Sequence, residues 1–272
     1  MRITYATESS PGRINEDYAI CGNEWAAVLD GATAAPGVDS GCIHDVPWLV
    51  RHLAAAVTRR ILLDSAPLPD LLAASIEEAR AAHAPTCDLS NPDSPSSTIS
   101  IVRVRDSAID YLTLGDSPIV IRTADQALTP VIDDRLDHLP GGRPYTLELV
   151  RSLRNKPGGF WVASTDPEAA YHAVAGSAPF EVATKIGMFT DGVSRLIEFY
   201  GYEWEQVFSM LESSGPSGVI ALVRSVERER PLRNGKQHDD ATAVLMAGCG
   251  AERPATASPA IRPYNWRSLI GM

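Results

Sequence analysis

The stretch 98–121, TISIVRVRDSAIDYLTLGDSPIVI, is a succession of short apolar runs broken at turn residues. Thr98–Val102, Ile109–Leu114 and Pro118–Ile121 each read as a strand, and the gaps between them suit antiparallel hairpins. Toward the N-terminus, Trp25–Leu29 is an apolar run that stops at Asp30-Gly31, the pattern of a buried strand ending in a turn. Before it, Ile3 and Tyr5 alternate like a strand that turns at Ser9-Ser10-Pro11-Gly12. Between these runs the period changes. Val46, Val50, Leu53, Val57 and Ile61 recur on one helical face, with Asp45 placed to cap the helix and Pro47 tolerated in its first turn. A second helix is expected over about 68–82.

Toward the C-terminus, 185–190 reads as a strand ending at Asp191-Gly192, helices are expected over 204–213 and 218–229, and a last strand over 242–246 follows His238-Asp239-Asp240. Residues 133–182 are punctuated by Pro and Gly and read as a flap or insertion. Within them Asp166 and Glu168 read as caps of a short helix, and His172 belongs to no motif. Beyond Gly248 the chain is rich in Ala, Pro and Ser and reads as a loose tail, with Tyr264, Trp266 and Leu269 as its apolar residues. Helices and strands thus come in separate blocks, which predicts an α+β fold with antiparallel sheets. One domain is expected over 1–248, with the flap at about 133–182 and the tail at 249–272.

Composition bounds the function. With 44 % apolar and 21 % charged residues in 272, the chain can bury a core without disulfide staples. A net charge of −10 and a pI near 5.1 disfavour nucleic acid and anionic membrane as partners. Cys21, Cys42, Cys87 and Cys249 form no Cys-x-x-Cys pair and no Cys/His spacing that suits zinc, so they read as reduced thiols. The N-terminus lacks the apolar segment of a signal peptide, and no run reaches the roughly 18 apolar residues of a membrane span. A cytoplasmic protein is the expectation.

The chemistry lies in carboxylates at strand ends and turns: Asn15-Glu16-Asp17, Leu29-Asp30-Gly31, Leu114-Gly115-Asp116-Ser117, Thr190-Asp191-Gly192 and His238-Asp239-Asp240. Gly after Asp lets the backbone turn sharply and approach a ligand. Carboxylates brought together repel unless cations lie between them, and Mg²⁺ and Mn²⁺ favour such oxygen ligands. Any one Asp-Gly is a common turn, so the set and its order carry the signal. Other hydrolase signatures are missing: there is no Gly-x-Ser-x-Gly elbow, no Gly-x-x-x-x-Gly-Lys loop, and no Asp-x-Asp after the first buried strand.

In RINEDY, AVLDGAT, PSSTISIV, LGDSPIVI, MFTDGVSRL and HDDATAVLM, spread over residues 3–247, the chain resembles the metal-dependent protein phosphatases of the PPM, or type-2C, family, of bacterial type. The resemblance implies two packed antiparallel sheets flanked by helices. It implies two Mn²⁺ or Mg²⁺ ions, with a third, weaker ion site, and hydrolysis of phosphoserine and phosphothreonine in a phosphoprotein substrate. By the same resemblance Asp30 bridges two metals and the Gly31 carbonyl binds one. Asp191 and Asp239 complete the coordination, and Asp17 with Glu16 holds waters of the metals. Asp116 and Asp191 hold the third ion. Such metals activate a water that attacks phosphorus in line, without a covalent enzyme intermediate.

An arginine near the N-terminus grips the phosphate in this family, which makes Arg13 the candidate. Arg13 stands one residue closer to Glu16 than is usual, which leaves a solvent-facing turn arginine as the other reading. Ala32 stands where many relatives carry a His proposed as general acid, and His44 and His238 are substitutes to weigh against surface or capping roles. The Ala32 departure keeps open a catalytically weak or inactive binding module, and small phosphate esters remain an alternative substrate class.

Overall fold

The computed structural model describes residues 1–32, 37–105, 108–233 and 236–248, together with the backbone of 262–263. The chain opens with β1 (Arg2–Glu8), β2 (Tyr18–Cys21) and β3 (Trp25–Ala32), followed by α1 (Val46–Leu63) and α2 (Leu68–His83). Four strands come next: β4 (Ser96–Arg105), β5 (Ala108–Leu114), β6 (Ile119–Thr123) and β7 (Leu128–Val131). After α3 (Leu147–Leu153) and a 3₁₀ turn at Pro167–His172 come β8 (Val174–Pro179), β9 (Ala183–Phe189), α4 (Asp191–Glu198) and α5 (Trp204–Glu229). The chain then adds β10 (Ala241–Ala247) and the two-residue β11 (Arg262–Pro263).

Two antiparallel sheets result, one ordered β1-β10-β9-β6-β7 and the other β11-β8-β5-β4-β3-β2. Val28, Val102, Ile121, Ile186 and Met188 are among the buried residues that pack between them. The outer face of the larger sheet is covered by α1 and α2, through Val50, Leu53, Leu72 and Ile76. That of the smaller sheet is covered by α4 and α5, through Leu196, Phe208, Leu211 and Val223. This is the α-β-β-α sandwich that the block pattern and the resemblance predict. Alternation along the central strands makes it possible, because each strand feeds one core with one side and the other core with the opposite side. Asp45 caps α1 as expected, its carboxylate accepting from the Trp48 amide at 2.8 Å.

Several elements differ from the sequence expectation. The helices expected over 204–213 and 218–229 are halves of α5, kinked where Gly215 takes φ 72° ahead of Pro216. β8, inside the expected flap, pairs with β5 from Ala108↔Pro179 to Thr113↔Val174 and is an integral strand of the larger sheet. Its small residues hide it from propensity: a Cβ on Gly176 would lie 2.3 Å from the Tyr111 hydroxyl, so a small residue is needed for the strand to lie beside that ring. The rest of the flap has a small core of its own, in which Leu139, Phe160 and Val162 pack with Tyr145 and Val150. Asp166 caps the 3₁₀ turn by accepting from the Glu168 amide at 3.0 Å. In the tail, Arg262 and Pro263 pair with Ser177 and Gly176; Tyr264, Trp266 and Leu269 lie outside the described residues.

The cysteine reading needs correction. Cys42 and Cys87 are paired as a disulfide, with Cα atoms 4.3 Å apart across a sequence separation of 45. Sequence spacing misses the pair because two loops, one before α1 and one after α2, bring it together: the Asp88 amide donates to the Gly41 carbonyl at 2.7 Å. Cys21 is a free, exposed thiol, and Cys249 lies outside the described residues. No helix of the described residues is long and apolar enough to cross a membrane.

Candidate active site

The carboxylates singled out in the sequence arrive at one place from both sheets. Asp30 sits near the end of β3 in the larger sheet. Asp191 opens α4 directly after β9, and Asp239 precedes β10, both in the smaller sheet. Asp17 leads into β2, and Asp116 lies in the turn by which β5 of one sheet passes to β6 of the other. Strands that end together at one rim of a sandwich put their last residues within reach of one another.

Glycines let the segments close. A Cβ on Gly31 would lie 2.4 Å from Val46 and 2.8 Å from the Glu16 carbonyl, so β3 and the Asp17 segment approach more closely than a side chain allows. A Cβ on Gly192 would lie 1.8 Å from the Asp240 carbonyl, which joins the Asp191 turn to the Asp239-Asp240 turn. Gly115 holds φ +82° in the Asp116 turn, a conformation that favours glycine.

The electrostatics are those of an anionic cluster. Burial, then Asp191, Asp17, Asp239 and Asp116, raises Asp30 well above the usual carboxylate range. Burial raises Asp17 to about 8, against the lowering effect of hydrogen bonds from Thr242 and Thr190. Burial, then Asp191, pushes Asp116 up to about 7, with Arg143 working the other way. Asp239 rises to about 6 through burial and Asp191, offset by Lys236, whose ammonium pairs with it. Each shift states that ionising the group inside this cluster costs free energy.

The hydrogen bonds divide the aspartates into two kinds. Asp240 is saturated: it accepts from the Ser10 amide at 2.7 Å and the Glu16 amide at 2.6 Å, tying the segment after β1 to the β10 entry. Asp17 is half saturated: Oδ2 accepts from the Thr190 and Thr242 hydroxyls at 2.8 and 2.7 Å, and Oδ1 is buried with no partner. Asp191 also has a buried Oδ1 with no partner, while its amide lies 3.4 Å from Asp30 Oδ2. Buried oxygens are ordinarily satisfied, so two unpartnered carboxylate oxygens in one cluster are a donor set that could hold a cation.

A cavity of about 170 Å³ opens on Asp30, Asp116 and Asp191, with Phe160 and Val162 of the flap among its walls and Ala32 at its edge. Asp133, also at this cavity, accepts from the Gly115 amide at 2.9 Å and pairs with Arg135 at 2.5 Å, so it braces the Asp116 turn. Arg143 of the flap, which the sequence reading passed over, lies 3.9 Å from Asp116, 3.7 Å from Glu198 and 2.6 Å from Asp137. Arg13 is exposed in the turn after β1, where its amide donates to the Ser10 carbonyl at 3.1 Å.

The two histidines weighed as proton donors are occupied elsewhere. His44 stacks on Trp48 at 3.9 Å, beside the Cys42–Cys87 pair. His238 Nδ1 bonds Glu227 at 2.7 Å. Glu227 is itself 2 % exposed and pairs with Arg195 and Arg224. Those arginines donate in turn to the Lys236 and Asp239 carbonyls at 2.7 and 2.8 Å. This buried clamp holds the Asp239 loop, and the sequence reading did not single it out.

The geometry agrees with the comparisons. The family model described as Protein phosphatase 2C matches residues 10–224. No curated protein matches the sequence. Among solved structures, the chain is similar to the Mycobacterium tuberculosis serine/threonine phosphatase PstP/Ppp, with a TM-score of 0.60 at 16 % identity over 92 % of this chain and 99 % of that one. It is also similar to the serine/threonine phosphatase Stp1 from Staphylococcus aureus, with a TM-score of 0.60 at 12 % identity over 90 % and 94 %. The catalytic domain of PstP in complex with two manganese ions superposes with a TM-score of 0.56 at 14 % identity over 90 % and 96 %. At these identities the structures speak for the fold, and the match across most of the sequence carries the assignment: the chain belongs to the protein phosphatase 2C family.

Proposed function

We propose that the chain is a metal-dependent phosphatase that hydrolyses phosphoserine and phosphothreonine in proteins. The observation that carries this reading is the gathering of Asp17, Asp116, Asp191 and Asp239 around Asp30, with buried oxygens of Asp17 and Asp191 left unpartnered. An all-oxygen donor set suits hard divalent cations, and Mn²⁺ or Mg²⁺ fits it better than softer metals. The manganese ions of the PstP catalytic domain support the same choice.

In this reading Asp30, the Gly31 carbonyl, Asp191 and Asp239 would hold two such ions, Asp17 would orient water, and Asp116 with Asp191 would hold a weaker third. Bound there, the cations supply Lewis acidity toward the phosphoryl group and a water activated for in-line attack. The chain's own residues do the rest. Thr190 and Thr242 fix Asp17 through its Oδ2 and leave Oδ1 for the site. The Glu227 clamp sets the height of Asp239. Arg13, exposed in the turn after β1, would offer a guanidinium for the phosphate oxygens. Phe160 and Val162 give the cavity an apolar wall.

Hydrolysis of an aryl phosphate and of a phosphothreonine peptide, each with Mn²⁺ and with excess chelator, tests the proposal. Turnover of both that appears with Mn²⁺ and vanishes with chelator is expected. A folded, Mn²⁺-binding protein that turns over neither would sink it.

A further inference from the structure

On the far side of α1 from its C-terminus, two loops bring together a second set of metal-ligating side chains. Cys42, His83 and Cys87 each present a ligand atom, and these atoms lie within 4.8 Å of one another. Cys42 precedes α1, His83 is the last residue of α2, and Cys87 follows it. We propose that Cys42, His83 and Cys87 form a zinc site when the two cysteines are thiolates, the disulfide being the metal-free, oxidised form of the same pair. This reading is independent of the aspartate centre and of the activity assigned to it.

Three observations support the site. First, the disulfide does not account for the imidazole. His83 is 2 % exposed, its Nδ1 lies 3.2 Å from Cys42 Sγ, and its Nε2 has no hydrogen-bond partner. A polar ring buried this deeply and aimed at sulfur is costly unless it has a ligand to bind.

Second, the surroundings are already built. The His44 amide lies 3.4 Å from Cys42 Sγ, a donor suited to a thiolate. Trp48 meets the His83 ring edge-on, with centroids 4.5 Å apart, and holds its orientation. The loops are braced by the Asp88–Gly41 backbone bond at 2.7 Å and by the Cys87 amide on the His83 carbonyl at 3.1 Å. Gly41 takes φ +66°, and a Cβ there would lie 2.8 Å from Asn91, so the two loops are in close contact.

Third, the dimensions fit. Zn–S bonds of about 2.3 Å and Zn–N bonds of about 2.0 Å give ligand-to-ligand edges of roughly 3.5–4 Å in a tetrahedron. Reduction lets the sulfurs part to that spacing by rotation about their Cα–Cβ bonds. Water fills the fourth position. Two thiolates and an imidazole select zinc over Mg²⁺ or Mn²⁺, so the two centres of the chain differ in the metal each prefers. No zinc spacing is legible along the chain because the ligands come as one cysteine from the first loop and a His-x₃-Cys from the second. An ion here would fasten the connection from β3 to α1, downstream of Asp30-Gly31, to the connection from α2 to β4.

The test uses the full chain, reduced with a phosphine, stripped with chelator and titrated with Co²⁺. A thiolate-to-cobalt charge-transfer band is expected, which cobalt on carboxylates does not give, and one equivalent of Zn²⁺ should bleach it. Cys87→Ser should abolish the band, and His83→Gln should weaken Zn²⁺ binding more than about 10-fold. The unreduced protein should show no band. Should Cys87→Ser misfold, the double variant Cys42→Ser/Cys87→Ser, checked by circular dichroism, serves in its place. A reduced, folded wild type without the band overturns the proposal, as does a chain that unfolds on reduction even with Zn²⁺ present. Either result makes the pair a structural disulfide only.

Discussion

Removing divalent cations should make the stability of this chain fall steeply with pH, because Asp17, Asp116, Asp191 and Asp239 then crowd around Asp30 with nothing to offset their charge. In the cation-free fold Asp17 is raised to about 8 and Asp116 to about 7, from an ordinary value of 3.8. A carboxyl whose folded value exceeds its unfolded value keeps a proton in the folded chain that the unfolded chain has released. Its contribution to stability is fully present below about pH 4 and is lost as the pH rises through the folded value. Between pH 4 and 7 each such group lowers stability by about 1.4 kcal/mol per pH unit, and the two together by at most about 3 kcal/mol per unit. Against a typical total of roughly 5–15 kcal/mol, two pH units are decisive. Urea unfolding followed by tryptophan fluorescence at pH 5, 6 and 7, with Mn²⁺ or with chelator, reads the effect. The stripped protein should lose stability as the pH rises, while the Mn²⁺-loaded protein stays nearly level, so the gap between them widens. Curves that run parallel in pH with and without Mn²⁺ would refute the reasoning, since the raised carboxylates would then not be the groups the cations neutralise.

Other perturbations separate the roles of single residues. Asp30→Ala should abolish phosphatase turnover and Asp116→Ala should reduce it less; equal loss in steady-state assays would overturn the ranking of the two ion positions. Arg13→Ala should raise KM far more than it lowers kcat on a phosphopeptide, as expected for a group that grips the phosphate in the ground state. Glu227→Ala should cost about 3–5 kcal/mol in urea unfolding, because it strands the buried Arg195 and Arg224 guanidiniums without a carboxylate. A change within experimental error would show that the clamp contributes little to holding the Asp239 loop.

What was legible in the sequence follows physical lines. The buried strand Trp25–Leu29 ending at Asp30-Gly31 could be read because apolar run length and a turn signal are local properties. The same holds for 185–190 ahead of Asp191-Gly192 and for the α1 face of Val46, Val50, Leu53 and Val57. β8 could not be read, because Val174-Ala175-Gly176-Ser177-Ala178-Pro179 has neither strong propensity nor alternation, and only Tyr111 across the sheet explains Gly176. The disulfide, the contacts of Arg143 with Asp116 and Glu198, and the Arg195–Glu227 pair join residues tens of positions apart, which no local period encodes. Asp239 and Asp240 show the boundary most sharply. The sequence presents them as a pair of like residues, and only the Ser10 and Glu16 amides on Asp240 reveal that it anchors backbone while Asp239 faces the cluster.

The division of labour between the two aspartates reflects how the sandwich makes a site at all. Neither sheet owns it: Asp30 comes from one, Asp191 and Asp239 border strands of the other, and Asp116 lies on the crossing between them. The relative position of the sheets therefore sets the spacing of the carboxylates. Within each sheet, backbone contacts hold the segments near the site together, with the Gly192 Cα against the Asp240 carbonyl in the smaller sheet and Gly31 against the Glu16 carbonyl in the larger, where a single added Cβ would force the segments apart; the position of one sheet on the other depends on side chains. It is fixed in polar terms by Asp17, whose Oδ2 links Thr190 after β9 to Thr242 in β10. Asp17 itself leads into β2 of the opposite sheet, so one carboxylate ties the sheets together with one oxygen and leaves the other for a cation. In the proposed metal site, positional rigidity and cation binding would share this side chain, which burial keeps raised despite two hydroxyl donors.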